Sequence, residues 1–283
     1  MPPWIAIPVP HSGDPEYADR ALPQYQRAVM MAGGKPIRVP LDQTPAEVMK
    51  IIEHCDGVLL PGSKADVDPA KFNAARSSQT AAPDPRRDSV DELLLQDAYN
   101  MRKPVLGICY GLQSLNVYRS GSLIQHIPHF LPQALRTTVN HDAGRKVKVA
   151  HTVDVEPQSV LAEIVRGSLP ANVQFSRGED SAQQKPAASP GASATVVIPV
   201  NSSHHQSADV IGDGLRVVAR CVEDGVVEAL EGTSLDHFVM AVQWHPERSV
   251  DDDEPSRAIF RALVEAAWAR HEQLRGEFEN VKW

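Results

Sequence analysis

The segment KPVLGICYGLQSL, residues 103–115, is the most informative part of the sequence about the fold. Residues 104–108 form a continuous apolar run bounded by turn residues, which predicts a strand buried on both faces of a parallel sheet. Cys109 follows this strand directly, and residues 113–121 predict a short helix. A cysteine in a turn between a buried strand and a helix is typical of a nucleophile elbow.

Cys109 lies between Gly107 and Gly111, and this spacing has a physical reason. A sharp, strained turn needs residues without side chains on both sides of the nucleophile. The helix that follows presents backbone N–H groups and a positive dipole, which stabilise a thiolate. A lone cysteine in an apolar stretch is usually an inert core residue, but this context favours a nucleophile.

Short apolar runs alternate with helical patterns before the elbow. Strands are predicted near 4–9, 36–40 and 57–62, and helices near 16–32, 45–54 and 87–101. This alternation is typical of βαβ units. The second half is rich in predicted strands, at 146–155, 194–202, 215–222, 226–232 and 237–245, with hairpin-like Asp-Gly breaks at 213–214 and 224–225 and a final helix near 254–280. We therefore predict an α/β fold with a mixed sheet.

Length and composition fit one α/β domain covering residues 1–283, since 42% of the residues are hydrophobic. Residues 177–195 lack periodicity and are dominated by small, polar and proline residues, which predicts a flexible surface loop. The formal charge of −8 and the isoelectric point near 5.8 provide no basic surface for nucleic acid. No apolar run approaches the roughly 20 residues that cross a bilayer, and no signal peptide begins the chain, so we expect a cytoplasmic protein without membrane contact.

The three cysteines, at positions 55, 109 and 221, are widely spaced and odd in number. This argues against a disulfide framework and against CxxC chemistry. We expect the first and third to be core residues.

A base for Cys109 is predicted at the end of another apolar run, AVQWHPE, residues 241–247. Active sites of α/β proteins collect at strand ends, which places His245 well. Residues two apart in an extended segment point the same way, so Glu247 can hold the imidazole in one tautomer. The alternative is a capped strand end with a surface carboxylate.

A third candidate element is LLPGS, residues 59–63, in which a predicted strand opens into a glycine turn. Backbone N–H groups of Gly62 and Ser63, with that of Tyr110, could form an oxyanion hole. The alternative is an ordinary turn between a strand and a loop. Asp66 and Asp68 have metal-like spacing but no EF-hand pattern follows, so we interpret them as loop caps.

Five segments together resemble the class I glutamine amidotransferase-like superfamily, and within it the γ-glutamyl hydrolase branch of the γ-glutamyl-γ-aminobutyrate hydrolase type. They are LLPGSKADVDP, RRDSVDELLLQDA, KPVLGICYGLQSLNVYRSGSLIQHI, VNSSHHQSAD and FVMAVQWHPE, in the family's order, and the resemblance extends from Ile5 to Trp268. It implies a flavodoxin-like three-layer fold with Cys109, His245 and Glu247 as a catalytic triad. It also implies a cysteine-dependent hydrolase that cleaves a small γ-glutamyl substrate through a thioester.

The resemblance further implies that Gln113 and the segment containing Ser203, His204 and His205 lie near the substrate. A homodimer is a family-level expectation, and neither a metal nor another cofactor is expected. Tyr110 stands where close relatives often have arginine, and Ser-Gly-Ser at 120–122 replaces the usual Gly-Gly-Thr. The sequence does not identify the leaving amine.

Three alternatives are disfavoured by the sequence. A metal site at His204 and His205 is disfavoured because neighbours on one strand face opposite ways and no HExxH or carboxylate cluster accompanies them. A glutaminase that feeds a separate synthase is disfavoured because the sequence contains no synthase domain. A silent binding protein is disfavoured because the triad residues and both elbow glycines are retained.

Overall fold

The computed structural model describes residues 1–168 and 196–280, with side chains described as far as residue 273. The strands within these residues are β1 (Trp4–Pro8), β2 (Lys35–Val39), β3 (Gly57–Leu60), β4 (Val105–Ile108), β5 (Leu123–Ile124), β6 (His151–Val155), β7 (Val196–Val200), β8 (Ser207–Ala208), β9 (Leu215–Cys221), β10 (Val227–Gly232) and β11 (Val239–Val242). The helices are α1 (Pro15–Met31), α2 (Pro45–Ile52), α3 (Pro85–Met101), α4 (Tyr110–Tyr118), α5 (Ile127–Phe130), α6 (Val160–Ser168) and α7 (Glu254–Asn280). Short 3₁₀ helices span Pro69–Phe72 and Pro246–Arg248.

Nine strands form one mixed sheet in the order β2-β1-β3-β4-β11-β10-β9-β6-β7. The strands from β2 to β11 pair in parallel, whereas those from β11 to β7 pair antiparallel. Every residue of β3, β4 and β11 is buried, as expected for central strands covered by helices. The predicted α/β fold with a mixed sheet is confirmed.

Local sequence signals begin the first three helices. Each has proline in its first turn and an N-cap side chain that accepts a backbone N–H: Asp14 for α1, Thr44 for α2 and Asp84 for α3. Proline loses nothing at the first helical position, where its missing N–H would have no intrahelical partner. These capping signals explain why the predicted helix positions agree with the observed ones to within about two residues.

Some predicted elements differ from the structure. Residues 146–150 do not extend β6, and α5 and α6 were not predicted. Asp224-Gly225 joins the paired strands β9 and β10, but Asp213-Gly214 lies between β8 and β9, which are not paired with each other. Turn residues indicate where the chain reverses, but they do not specify which strands pair. The predicted loop at 177–195 lies outside the described residues, and no described helix is long and apolar enough to cross a membrane.

Candidate active site

The elbow lies at the centre of the sheet. Cys109 follows β4 directly, and its backbone N–H donates to Val242 O at the end of β11, 2.8 Å away. Gly62 follows β3 and His245 follows β11, and these two strands flank β4. Since all three strands run parallel, their carboxyl ends meet at one edge, where α/β proteins bind ligands.

The backbone of Cys109 is strained, with φ of 54° and ψ of −104°. A non-glycine residue in such a conformation costs about 1–3 kcal/mol and persists only when its surroundings enforce it. The surroundings here are tight: a Cβ on Gly111 would lie 2.2 Å from Leu60 O, and one on Gly107 would lie 2.8 Å from the Gly111 carbonyl carbon. Both glycines are therefore required for α4 to pack against β3 and β4.

Gly62 lies where the candidate residues meet. A Cβ at this position would lie 3.0 Å from His245 Cε1 and 3.6 Å from Cys109 Cβ. The predicted nucleophile, base and oxyanion loop are therefore neighbours in space. That these residues act together in catalysis remains a prediction.

His245 is buried and oriented by a carboxylate. Its Nδ1 lies 2.8 Å from Glu247 Oε1, so Nδ1 carries the proton that is donated to Glu247. Its Nε2 has no hydrogen-bond partner among the described residues. Burial lowers the pKa of His245, with Glu247 opposing this effect. Burial alone would raise the pKa of Glu247, but the nearby charges of His245 and Arg248 hold it below its usual value.

Burial raises the pKa of the Cys109 thiol to about 12, although the positive charge of Arg248 and the backbone N–H of Tyr110 act in the opposite direction. Together with the lowered pKa of His245, this favours a neutral thiol beside a neutral imidazole. A thiolate at Cys109 then forms only when a base removes its proton, and the unpartnered Nε2 of His245 is suited to that step.

Two residues that sequence reasoning did not single out hold the base in place. Asn201 accepts a hydrogen bond from the His245 backbone N–H (3.0 Å) and donates to the His245 carbonyl (2.8 Å). Arg248 donates to Ser203 Oγ (2.8 Å), and its Nε lies 3.5 Å from Glu247 Oε1. Asn201 lies in VNSSHHQSAD, one of the five segments that carry the resemblance. Its partner, His245, is 44 residues away, so no local pattern reveals this contact.

The predicted oxyanion donors differ in their contacts. The Gly62 N–H donates to Tyr25 Oη at 3.1 Å, and Tyr25 is fully buried. The backbone N–H of Tyr110 lowers the pKa of the Cys109 thiol, and the Ser63 hydroxyl accepts from the Ala65 N–H. Tyr25 was not predicted, since a tyrosine within a helical pattern is usually a core residue. The oxyanion hole itself remains a prediction.

The side chain of Tyr110 belongs to the core. Its hydroxyl donates to Asp88, and the Arg87 guanidinium lies 4.9 Å from its ring centroid. Arg87 is fully buried, pairs with Asp91 (2.7 Å) and donates to Pro61 O (2.7 Å). Arg87 therefore fixes the loop that leads to Gly62, a role the sequence gave no reason to expect.

The fold brings together only some of the residues that were predicted to contact the substrate. Ser203 contacts Arg248, and the Gln113 side chain is buried, donating to Gln206 O (3.3 Å). His205 Nε2 is 3.1 Å from Asp66 Oδ1, whereas His204 Nδ1 lies 2.9 Å from Gln206 O. The two histidines face different partners, as predicted for neighbours on an extended segment.

Comparisons with known proteins identify similar chains and a shared fold. The chain is 30% identical to a glutamine amidotransferase-like protein of Rickettsia prowazekii, over 89% of this chain and 90% of that one. It is also 30% identical to the gamma-glutamyl-gamma-aminobutyrate hydrolase of Escherichia coli K12, over 86% and 84% of the two chains. The structure of a GMP synthase component from Thermoplasma acidophilum superposes with a TM-score of 0.59 at 15% identity, covering 97% of this chain and 98% of that one, which shows a shared fold.

The match to a family extends across the elbow and the strand end that carries the base. Residues 10–247 match Peptidase C26, which has a class I glutamine amidotransferase-like fold. This span includes Cys109, His245 and Glu247. The chain belongs to the Peptidase C26 family of glutamine amidotransferase-like hydrolases.

Proposed function

We propose that the protein hydrolyses the amide bond of a small γ-glutamyl amine, with Cys109 as nucleophile, His245 as general acid and base, and Glu247 as its orienting carboxylate. The observation that supports this most directly is the state of His245. Its Nδ1 proton is held by Glu247, and its buried Nε2 has no partner among the described residues. The side chains of His245 and Cys109 both lie next to Gly62. An oriented imidazole with a free nitrogen near the thiol is one requirement for activation of a nucleophile by a base.

In the proposed reaction, the Cys109 sulfur attacks the γ-carbonyl carbon while its proton passes to His245 Nε2. The C–N bond of the tetrahedral intermediate then breaks, and the imidazolium gives that proton to the leaving amine. A γ-glutamyl thioester remains on Cys109. A water molecule attacks the thioester, His245 accepts its proton and returns it to the departing sulfur, and glutamate is released.

The developing oxyanion requires backbone donors. The Tyr110 N–H, at the start of α4 directly after Cys109, is the first candidate, and the Ser63 N–H is the second. Gly62 can donate to the oxyanion only if its N–H leaves Tyr25 Oη and binds the substrate oxygen instead. Tyr25→Phe removes this competing acceptor, so we expect it to leave the γ-glutamyl hydrolase rate within a few fold of wild type.

The choice of substrate rests on the relatives. Proteins about 30% identical to this chain are named gamma-glutamyl-gamma-aminobutyrate hydrolase, so γ-glutamyl-γ-aminobutyrate is the first compound to test. Arg248, beside Ser203 and Glu247, is a cation that can attract a substrate carboxylate. A homodimer remains a prediction.

The test measures glutamate release from γ-glutamyl-γ-aminobutyrate and, in parallel, from glutamine. Wild type, Cys109→Ala and Cys55→Ala are compared, since Cys55 is also buried and free but lies away from the site, where its thiol contacts Ile51 O. Release from the first substrate that is lost only in Cys109→Ala supports the proposal. Comparable rates in Cys109→Ala and wild type would contradict the role of Cys109.

A second candidate is a glutaminase that supplies ammonia to a separate synthase. It is favoured by the relative named glutamine amidotransferase-like. Ammonia released from glutamine, increasing when a partner protein is added, together with no cleavage of γ-glutamyl-γ-aminobutyrate, would support this candidate over the first. A silent relative would cleave neither substrate, and its Cys109 would not react with a γ-glutamyl electrophile.

A further inference from the structure

Three histidines surround one buried carboxylate on the antiparallel side of the sheet. They are His141 in the connection between α5 and β6, His151 at the start of β6, and His204 in the segment after β7; the carboxylate is Glu228 in β10. Their side chains are at most 4% exposed, and that of Glu228 is fully buried. Residues from four separate segments therefore bring their donor atoms to one point in the interior.

The distances within this cluster fit metal coordination. Glu228 Oε1 lies 3.2 Å from His141 Nδ1, 3.0 Å from His151 Nε2 and 3.6 Å from His204 Nε2. In a tetrahedral zinc site with metal–ligand bonds of about 2.0–2.1 Å, neighbouring ligand atoms are about 3.3 Å apart. Ligand atoms of His141, His151 and Glu228 also lie within 4.8 Å of one another. These three donor atoms are therefore close enough to share one ion, and His204 Nε2 lies next to the Glu228 oxygen at 3.6 Å.

The outer contacts of two histidines fix which nitrogen faces the carboxylate. His141 Nε2 is 2.8 Å from Asp224 Oδ2, and His204 Nδ1 is 2.9 Å from the carbonyl oxygen of Gln206. Because both partners accept hydrogen bonds, these nitrogens carry the protons. In the neutral imidazoles, the opposite nitrogens then turn lone pairs towards Glu228. Metal-binding histidines typically donate their other N–H to a carboxylate or a carbonyl in this way.

Hydrogen bonds do not account for the centre of the cluster. Within the described part of the chain, neither oxygen of Glu228, nor either nitrogen of His151, nor the inward nitrogens of His141 and His204 has a hydrogen-bond partner. Buried polar atoms without partners are costly, and the lone pairs of neutral imidazoles facing the carboxylate at 3.0–3.6 Å would repel it. A cation between them removes both costs. One divalent ion would also balance the two buried carboxylates of Glu228 and Asp224.

We propose that His141, His151 and Glu228 bind a single Zn²⁺-type transition-metal ion, with His204 Nε2, 3.6 Å from the Glu228 oxygen, as the fourth ligand. Three imidazole nitrogens and one carboxylate oxygen complete a four-ligand shell, which is the closed arrangement of structural zinc sites. The ion would not take part in amide hydrolysis. It would fix the segment after β7, which contains Asn201 and Ser203, to β10. The backbone carbonyl of Glu228 in β10 also accepts the Gln243 N–H at 2.7 Å.

The competing explanation is that protons neutralise the cluster. Additional protons on the imidazoles would let them donate to Glu228 without a metal. His141, Cys221 and Asp224 also lie close together and form a second possible set of ligands, which shares His141 with the first. An experiment must therefore separate a metal from protons and the first donor set from the second.

The experiment uses full-length, tag-free protein in a Cys109→Ala background, which removes the thiol of the candidate active site as a ligand. Protein treated with a chelator is titrated with Zn²⁺, and bound metal is measured by mass spectrometry. We expect about one Zn²⁺ per chain. Binding should weaken at least tenfold with His151→Asn and with Glu228→Gln, and should be retained with Cys221→Ala. His271→Asn serves as control, since His271 lies on α7 and pairs with Asp56.

Titration with Co²⁺ provides a reading that does not depend on how the variants fold. We expect one equivalent of Co²⁺ to give the intense visible absorption of tetrahedral Co²⁺. One equivalent of Zn²⁺ should displace the Co²⁺ and remove this absorption. The parent protein taking up neither metal at micromolar concentration would overturn the proposal and favour the protonated cluster. Metal retained by His151→Asn and Glu228→Gln but lost in Cys221→Ala would overturn it in favour of the second donor set.

Discussion

Replacing Gly111 with alanine tests the packing that holds Cys109 in its strained turn. The new Cβ would lie 2.2 Å from Leu60 O and 2.8 Å from Leu60 Cβ. Since real Cβ atoms do not approach heavy atoms closer than 3.0 Å, α4 must move from β3 by about 0.8 Å. Overpacking in a dense interior costs about 3 kcal/mol at the upper end of its usual range. The better helix propensity of alanine returns about 1 kcal/mol, so the free energy of unfolding should fall by about 2 kcal/mol.

The same displacement should impair catalysis, because Tyr110 and Cys109 move with the start of α4. A misplacement of about 1 Å can cost roughly 100-fold in rate. Urea denaturation measures the free energy of unfolding, and glutamate release from γ-glutamyl-γ-aminobutyrate measures kcat/KM. Gly167→Ala is the matched control, because no described atom lies within 4 Å of the new Cβ. If Gly111→Ala unfolds at the wild-type urea concentration and keeps more than a third of wild-type kcat/KM, the packing argument is wrong.

Four further predictions concern the charges around the site. Glu247→Gln should lower kcat roughly 10³-fold with little change in KM, because the imidazole loses the carboxylate that fixes its tautomer; wild-type kcat would exclude this role. The buried His245 has a lowered pKa and must be neutral to act as base, so kcat/KM should be lost as pH falls and the acid limb should lie below pH 6.5. Because burial raises the pKa of Cys109 to about 12, its alkylation rate should still increase above pH 8; a rate that is already constant at pH 6 would indicate a thiolate instead. Arg87→Met should reduce the free energy of unfolding by about 3–5 kcal/mol, since Asp91 is left buried without its partner. Adding Asp91→Leu should recover much of the stability, measured in urea, but less of the catalytic rate, because the loop carbonyl that Arg87 binds stays without its donor.

Prediction from sequence succeeded where the signal is local. The first strands and helices follow from hydrophobic periodicity, and proline with an N-cap residue marks where α1, α2 and α3 begin. The elbow follows from adjacent residues, since a strand, two glycines and a helix must be contiguous to form it. The placement of Cys109 and His245 at one edge depends on the parallel pairing of β4 with β11, whereas the sequence predicted only that His245 lies at a strand end.

The remaining features depend on contacts between distant segments. Asn201 holds His245 across 44 residues, and Arg87 reaches Pro61 across 26. The histidine cluster has the same origin: the sequence disfavoured a metal because His204 and His205 face opposite ways, and it could not show that His204 meets Glu228 in the interior.

The sequence by itself determined the alternating α/β pattern, the strained turn at Cys109 and the candidate base at His245, because each depends on residues that are neighbours along the chain. Only the tertiary structure shows that Tyr25 Oη accepts a hydrogen bond from the Gly62 N–H and that three histidines surround Glu228. The physical reason is that these contacts are set by which strands pair and how the helices pack on them. Side-chain periodicity specifies which face of a strand is buried, but not which distant side chain it meets there.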